Sequence, residues 1–413
     1  MKLLISHPTG NTFVRALLKQ AHANEVLESF HTTIAYRDGN WTSRLLPQGI
    51  RNQYKRRTYP VPHPLIHQHP FRETVRLVAA KVGLAPLAKH ERGWASLDEV
   101  YRELDRKTAE NLTDSAATHV HCYEDGALET FHEAQRRGIK KSYELPIAHW
   151  KTMRELLEQE AGRLPQWAPT LIATEDSEEK LTRKDEELSL ADIVVVPSQF
   201  VLDSLPDNIR SGKPCILAPF GTPTTDTEEI ATDKRTASKT RFLFAGAMGQ
   251  RKGLGDILKA FSEIRRTDVE LVVMGSPMMD MKFYRQEFAG FLHEPPRPHA
   301  DVLKLMQTCH VLVLPSIAEG RALVQQEAMS QSLALLVTPN AGGADLVKEG
   351  ETGFLVPPAD PAAIKEKIHW FADHPEKTVE MGANAQKHAS SYTWKAYAES
   401  ILKVLGQRSL PPS

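Results

Sequence analysis

Short apolar runs alternate with longer segments, in which apolar residues recur every three or four positions, along almost the whole chain. The short runs have the length of buried strands, and the longer segments have the period of amphipathic helices. This alternation predicts βα units and parallel sheets. The first half of the chain carries candidate strands at Lys2–Ser6, His31–Ala35, His119–Cys122, Lys141–Pro146, Ile193–Pro197 and Cys215–Pro219.

A second series of strands begins after residue 240. Residues 222–240, between the two series, are polar, rich in threonine and free of aromatic side chains, which is typical of a linker. We therefore predict an N-terminal domain of residues 1–222 and a C-terminal domain of residues 223–394. The strands predicted for the second domain are Arg241–Ala245, Glu270–Met274, Val311–Pro315, Ala334–Thr338 and Gly353–Val356.

Composition and charge agree with two globular domains. A chain of 413 residues is large for one core. A quarter of the residues are charged and the net charge is -1, which argues against a nucleic-acid partner. No apolar run approaches the roughly 18 residues needed to span a bilayer, and the N-terminus has the pattern of a strand. Three scattered cysteines indicate a reducing compartment, so we predict a cytoplasmic protein.

Glu319 and Glu327 mark the most informative segment, S-I-A-E-G-R-A-L-V-Q-Q-E-A-M. It leads from one predicted strand into a helix, so the Gly320 turn lets a ligand approach the backbone. The first turn of such a helix offers N–H groups that suit a phosphate. At about 1.5 Å per helical residue the two carboxylates are roughly 10 Å apart, which suits two ends of one extended ligand. The alternative is two solvated helix carboxylates.

With Pro315-Ser316 before it and residues 340–343 after it, this segment resembles the E-x7-E motif of retaining GT-B glycosyltransferases of the family 4 (group 1) type. The resemblance implies an α/β protein of two Rossmann-like domains that face each other across a cleft, the first on the acceptor side and the second binding the nucleotide sugar. It also implies that the C-terminal helix, within about 395–413, crosses back to the first domain. The donor contacts that it implies are Glu319, Gly320, Arg321, Ala322 and Leu323 at the sugar and Glu327 at the ribose hydroxyls.

The segment from Gly246 to Gly253 follows the first strand of the second domain. Its glycines permit a tight turn, and its Arg and Lys place positive charge where a diphosphate binds. It resembles the phosphate loop of the same family, G-R-x4-K-G, with Lys252 at the lysine. Ala247 stands at the usual arginine, and we expect Arg251 to compensate. The alternative is a basic helix cap.

Further candidates follow other predicted strands. The resemblance implies that the turn with Gly10 and Asn11 approaches the diphosphate from the first domain. It implies that His149 reaches the transferred sugar and that Gly275 lies beside the nucleotide. An ordinary turn is the alternative for Gly10 and Asn11, and a plain loop is the alternative for Gly275. His149 is one of 17 histidines, so it is not specific by itself. Residues 123–126 suit an acceptor hydroxyl or a helix cap, and we favour the cap.

A basic stretch in the first domain suits an anionic membrane or glycan. We favour a solvated surface, and we leave a peripheral contact at the inner membrane face open. The stretch contains Arg44, Arg51, Lys55, Arg56 and Arg57.

The sequence therefore predicts a retaining glycosyltransferase for glycan or polysaccharide synthesis. The donor expected is a UDP- or GDP-sugar, and the acceptor a glycan, lipid-linked or small molecule. The chain has no D-x-D triplet and no cluster with zinc-ligand spacing, so we expect neither a metal nor a further cofactor. Two alternatives stay open: a nucleotide-sugar epimerase or hydrolase, and a non-catalytic partner subunit, which Ala247 motivates.

Overall fold

The computed structural model describes residues 1–37, 48–79, 83–172, 175–223 and 238–407. Most of the predicted linker, Arg44 and residues 408–413 lie outside these ranges. The described residues form two parallel β-sheets with helices around them. In those ranges, no helix combines the length and the apolar character that a membrane span requires.

Seven parallel strands form the first sheet, in the order β3-β2-β1-β4-β5-β6-β7, where β1 is Leu3–Ser6, β2 Leu27–Thr32, β3 Ile66–Gln68, β4 His119–Tyr123, β5 Lys140–Glu144, β6 Ile193–Val196 and β7 Cys215–Leu217. Both faces of the sheet are buried: Leu3 and Ile5 join one apolar cluster, and Leu4 joins another. Helices must therefore cover both faces, as parallel sheets require. They are α1 (Thr12–Ala23), α2 (Gln48–Lys55), α3 (Phe71–Ala79), α4 (Leu97–Leu112), α5 (Leu128–Arg136), α6 (Trp150–Arg163), α7 (Glu178–Leu190), α8 (Gln199–Ser204) and α9 (Asp207–Gly212).

Six parallel strands form the second sheet, in the order β10-β9-β8-β11-β12-β13, where β8 is Thr240–Ala245, β9 Val269–Met274, β10 Leu292–Glu294, β11 Val311–Leu314, β12 Ala334–Val337 and β13 Gly353–Leu355. The strand order reverses between β8 and β11, and ligands of such sheets bind at this point, outside the carboxyl ends of the strands. The helices of this part are α10 (Leu254–Ser262), α11 (Met281–Glu287), α12 (His299–Gln307), α13 (Leu323–Ser330), α14 (Pro361–Asp373), α15 (Pro375–Ala389) and α16 (Trp394–Leu405).

The last helix, α16, packs on α1 of the first domain, which confirms the predicted crossing of the C-terminal helix. The hydroxyl of Tyr397 donates to the carboxylate of Glu144 at 2.8 and 2.9 Å to its two oxygens. Trp394 covers Gly221, where a Cβ would lie 2.3 Å from the Trp394 nitrogen. The chain end is therefore anchored in the first domain by packing and by a buried hydrogen bond.

One strand position predicted from the sequence is wrong. The strand expected at His31–Ala35 is β2, which ends at Thr32. Thr33 leaves the sheet, and its hydroxyl donates to the Pro8 carbonyl at 2.6 Å. The apolar-run criterion placed this strand too late because Glu28 and Ser29 interrupt its first apolar residues. It also missed β3 and β10, which have only three residues each.

Candidate functional site

The carboxylate of Glu319 lies between two cations at the carboxyl edge of the second sheet. Lys252 Nζ is 2.7 Å from one carboxylate oxygen, and Arg251 Nη1 is 2.7 Å from the other. The cations follow β8 and the carboxylate follows β11, which is its neighbour in the sheet. Burial raises the pKa of Glu319, but Lys252 and Arg251 together outweigh it and bring the pKa below its usual value. The carboxylate is therefore ionised at neutral pH.

Close backbone packing positions these three side chains. The Ile317 N–H donates to the Arg251 carbonyl at 2.9 Å, which joins the two loops directly. Gly246 has φ +149, and a Cβ there would lie 2.8 Å from Lys252 Cδ. A Cβ at Gly275 would lie 1.7 Å from the Gly246 carbonyl oxygen. Because glycine has no side chain, Gly246 leaves room for the Lys252 side chain to cross the loop and reach Glu319.

Gly320 lies where the two domains touch. A Cβ on this residue would be 1.8 Å from the carbonyl oxygen of Pro146 in the first domain. The hydroxyl of Ser198, also in the first domain, donates to the Gly320 carbonyl at 2.7 Å. A Cβ on Gly342, behind it, would be 1.7 Å from that same carbonyl oxygen. The loop that carries Glu319 is thus held between the domains, facing the cleft.

Backbone N–H groups converge at the start of α13. Those of Gly320, Arg321 and Leu323 form no hydrogen bond with any described residue. The Ala322 N–H donates to the Ala341 carbonyl at 3.2 Å, so this predicted contact is already used inside the domain. The remaining N–H groups, together with the helix dipole, form a site that favours negative charge.

The side chain of Arg321 turns into the second domain. Its Nη1 donates to Asp345 at 2.7 Å, and its Nε donates to Gln326 at 2.9 Å. The residue is 3% exposed, and its guanidinium lies over the ring of Tyr392. Only the backbone of Arg321 is therefore offered at the cleft, and its contact with the donor sugar stays a prediction.

Glu327 lies on α13, and its side chain is 21% exposed. Its Oε1 is 3.0 Å from Nε2 of His299, the first residue of α12. No pattern in the sequence points to His299, which is 28 positions from Glu327. The carboxylate is thus held by one neighbour while one of its faces stays accessible.

The turn after β1 is organised by a buried histidine that the sequence analysis did not identify. His7 Nδ1 accepts the N–H groups of Thr9 at 3.1 Å and Gly10 at 2.8 Å. Burial, followed by His121 and Arg15, lowers the pKa of His7 to about 3, so the ring stays neutral and can accept both bonds. Gly10 has φ +59. Asn11 is exposed at the start of α1 and forms no side-chain cap. The contact of Gly10 and Asn11 with a diphosphate stays a prediction.

His149 begins α6, three residues after the Pro146 that touches Gly320. Its Nε2 is 3.1 Å from Asp185 Oδ1, and its Nδ1 accepts the Lys151 N–H at 3.4 Å. Burial lowers the pKa of His149, and Asp185 partly opposes this. Both ring nitrogens are engaged, so a sugar hydroxyl that binds this ring must compete with Asp185. The role of His149 at the sugar stays a prediction.

The capping interpretation of residues 123–126 is wrong. Ala127 begins α5 without a side-chain cap. The carboxylate of Glu187, a residue of α7, accepts the Ala127 N–H at 3.1 Å, so α7 supplies the cap in place of residues 123–126.

The Glu124 carboxylate lies 3.5 Å from Lys184 Nζ. Burial raises the pKa of Glu124 to about 7, with Lys184 opposing and Asp125 reinforcing the shift. Glu124 is therefore a titratable group at the carboxyl edge of the first sheet.

One group of side chains in the described ranges has the spacing of metal ligands. His90, Glu91 and Asp176 each bring one ligand atom to within 4.8 Å of the others. Lys180 Nζ, however, is 2.9 Å from Asp176, and Lys184 Nζ is 3.3 Å from it. Two ammonium groups thus already balance this carboxylate.

Comparison with known proteins agrees with this geometry. Residues 226–388 match the family model described as "Glycosyl transferases group 1". A D-inositol 3-phosphate glycosyltransferase of Corynebacterium diphtheriae is 26% identical over 57% of this chain and 61% of its own length. The D-rhamnosyltransferase WbpZ of Pseudomonas aeruginosa is 30% identical over 35% of this chain and 39% of its own. The matched part thus spans less than two thirds of these two relatives.

Solved structures resemble the whole chain. Sucrose-phosphate synthase from Thermosynechococcus elongatus has a TM-score of 0.66 at 16% identity, covering 98% of both chains. Anabaena HepE in complex with UDP has a TM-score of 0.62 at 15% identity, covering 98% of this chain and 99% of its own. At these identities the likeness shows the fold, which is GT-B, as the sequence analysis predicted.

Proposed function

We propose that this chain moves a sugar from a nucleotide-sugar donor to a hydroxyl acceptor. Its residues 226–388 match the family model of the group 1 glycosyl transferases, and its two domains form a GT-B fold. The observation that carries this proposal is the Glu319 carboxylate between Lys252 and Arg251, at the point where the domains meet. The donor proposed is a UDP- or GDP-sugar. A solved relative that holds UDP favours the first.

Each part of the site has a task in this reaction. Lys252 and Arg251 neutralise the diphosphate that leaves the sugar, and the N–H groups at the start of α13 assist them. Their present partner, Glu319, is then freed to hold the sugar hydroxyls. We propose retention of the anomeric configuration: the acceptor oxygen bonds to the sugar carbon on the face that the diphosphate leaves, and the phosphate takes the acceptor proton. No protein nucleophile is needed.

Release of the nucleotide diphosphate tests this proposal. A panel of UDP- and GDP-sugars is incubated with the chain, with and without glycan, lipid-linked and small-molecule acceptors. Release that requires an acceptor supports the transferase. Turnover without an acceptor indicates an epimerase or a hydrolase, and binding without turnover indicates a partner subunit. Either of these last two results would overturn the proposal.

Replacing Glu327 with alanine should weaken nucleotide-sugar binding about tenfold or more. A carboxylate that accepts hydroxyl hydrogen bonds contributes about 1.5–3 kcal/mol for each bond. Calorimetry with the cognate donor measures the effect, and Glu376→Ala, on the exposed first turn of α15, is the matched control. Equal affinity in the folded Glu327 variant would remove this residue from the donor site.

Activity should survive a chelator of divalent metals, because Lys252, Arg251 and the start of α13 supply the positive charge that a metal would provide. Replacing Arg251 should lower the rate strongly. Ala247, at the position of the usual loop arginine, has no charge that could stabilise the diphosphate in its place. Initial rates with and without chelator, for wild type and Arg251→Ala, measure both effects. Loss of wild-type activity that magnesium or manganese restores would contradict the first expectation. Full activity in Arg251→Ala would contradict the second.

A further inference from the structure

The segment from residue 48 to residue 97 is strongly basic in a chain that is nearly neutral. It contains nine Lys or Arg residues and two acidic residues, while the whole chain has a net charge of -1. The interior of the first domain absorbs part of this charge: Arg57 is 7% exposed and pairs with Glu73. The predicted solvated surface is therefore wrong for Arg57. Four cations remain exposed, and none has an ion-pair partner among the described residues: Lys55, Arg56, Lys89 and Arg92.

The same segment exposes large apolar side chains. Phe71 is 69% exposed, Leu84 52%, Trp94 46% and Leu97 48%. The described part of the chain has nine large apolar residues that are exposed to this degree, so four of them fall within 27 positions. Single exposed apolar residues are ordinary, but a cluster of them marks an interaction surface.

Packing brings the apolar and basic groups together. The rings of Phe71 and Trp94 touch edge to face, with centroids 5.9 Å apart. Lys89 and Arg92 lie on the loop that carries Trp94, which is closed by a bond from the Gly93 N–H to the Lys89 carbonyl at 2.8 Å. Lys55 is the last residue of α2, and Arg56 follows it. A hydrogen bond between the Tyr54 and Thr74 hydroxyls joins α2 to α3, one turn after Phe71. The exposed aromatic pair is thus flanked by cations on two sides.

We propose that this surface, called here the basic aromatic face, docks the enzyme on an anionic membrane. Tryptophan is favoured at the boundary between lipid tails and headgroups, and phenylalanine buries its ring in the acyl region. Lys and Arg side chains around them are attracted by anionic headgroups. An acidic protein would complement the cations, but a bilayer complements both the cations and the exposed aromatic rings.

The position of the face extends this inference to the acceptor. Its loop joins the acceptor side of the cleft, because Glu91 accepts the Ser177 N–H at 3.0 Å and His90 lies 3.2 Å from Asp176. Asp176 in turn binds Lys184, the partner of Glu124 at the edge of the first sheet. A membrane-bound face beside this edge fits an acceptor carried by a lipid, and this step rests on the proposed transferase function.

Vesicle flotation of the full chain tests the docking without any nucleotide sugar, so its result is independent of the transferase assay. We expect flotation with phosphatidylcholine vesicles that contain phosphatidylglycerol, weakening with salt, and none with phosphatidylcholine alone. The double variant Lys55→Glu, Arg56→Glu should lower the partition at least roughly 25-fold, about fivefold for each cation lost, because the new carboxylates also repel the anionic headgroups. Phe71→Ser with Trp94→Ser should lower it about tenfold or more. The matched control is Arg265→Glu with Lys377→Glu, an equal charge change on the second domain, and it should float like wild type.

Three results would overturn the docking. They are no flotation at low salt, equal loss in the control variant, and full flotation by the Phe71, Trp94 variant. Binding to heparin that equals vesicle binding and ignores the aromatic substitutions would assign the face to a soluble polyanion instead. Donor binding by calorimetry should be unchanged in all these variants. If the face binds vesicles but soluble acceptors are used equally well with and without vesicles, the lipid-linked acceptor is wrong while the docking stands.

Discussion

Replacing Lys252 with alanine is expected to lower kcat about 100-fold or more, with a smaller change in donor affinity. Negative charge grows on the diphosphate as the bond to the sugar breaks, so a fixed cation stabilises the transition state more than the ground state. Removal of one such contact typically costs ~100-fold or more in rate. Lys252 suits this task because its side chain is only 15% exposed and its ammonium is held beside Arg251 by a shared carboxylate.

Initial rates across donor concentrations, with saturating acceptor, separate kcat from KM for this variant. The control is Lys259→Ala on the adjacent helix α10. The Lys259 side chain is 61% exposed, and its ammonium pairs with Glu263. Thermal unfolding of both variants reports any loss of stability, since Glu319 keeps only Arg251 when Lys252 is removed. A higher KM with unchanged kcat would mean that Lys252 binds the ground and transition states equally, and its catalytic task would be wrong.

The features that the sequence predicts correctly are those that depend on residues close together in the chain. Ten of the eleven strand predictions agree with the structure to within two residues because their apolar runs are buried on both faces of a parallel sheet. Lys252 and Glu319 follow two such strands, and their strands are adjacent. The expectation that Arg251 shares the site of Lys252 is supported by its contact with the same carboxylate.

Contacts between residues far apart in the chain could not be predicted from local sequence patterns. Asp185 is 36 positions from His149, and the Glu187 that displaces the predicted cap is 60 positions from Ala127. His7 has no feature in the sequence that distinguishes it from other histidines, because its task depends on burial and on a turn that exists only after folding. The side chain of Arg321 pairs with Asp345, which is 24 positions away, so its place in the second domain is also set by a distant contact. Each of these residues is defined by tertiary packing, which overrides local pattern.

Gly320 shows the clearest effect of tertiary packing. The E-x7-E motif assigns this residue to the donor site, and the structure also places it at the contact between the two domains. Replacing it with alanine should lower kcat/KM about 100-fold. The new Cβ would lie 1.8 Å from the Pro146 carbonyl oxygen, whereas contacts under 3.0 Å essentially never occur. The two backbones must therefore separate by about 1.2 Å or more, the difference between these distances. A misplacement of about 1 Å between catalytic groups and substrate can cost ~100-fold in rate.

Three measurements on Gly320→Ala separate a displaced domain from a damaged donor site. Initial rates should fall, and small-angle scattering should show a larger radius of gyration than wild type. Nucleotide affinity should change only a few-fold, because Lys252, Arg251 and Glu327 stay in the second domain. The matched control is Gly162→Ala on α6, where a Cβ meets nothing within 4 Å, and it should behave like wild type. Wild-type rates in the Gly320 variant would mean that the contact with Pro146 is not part of the active arrangement. A loss of nucleotide binding as large as the loss of rate would place the damage in the donor site, and the separation of the domains would not be its cause.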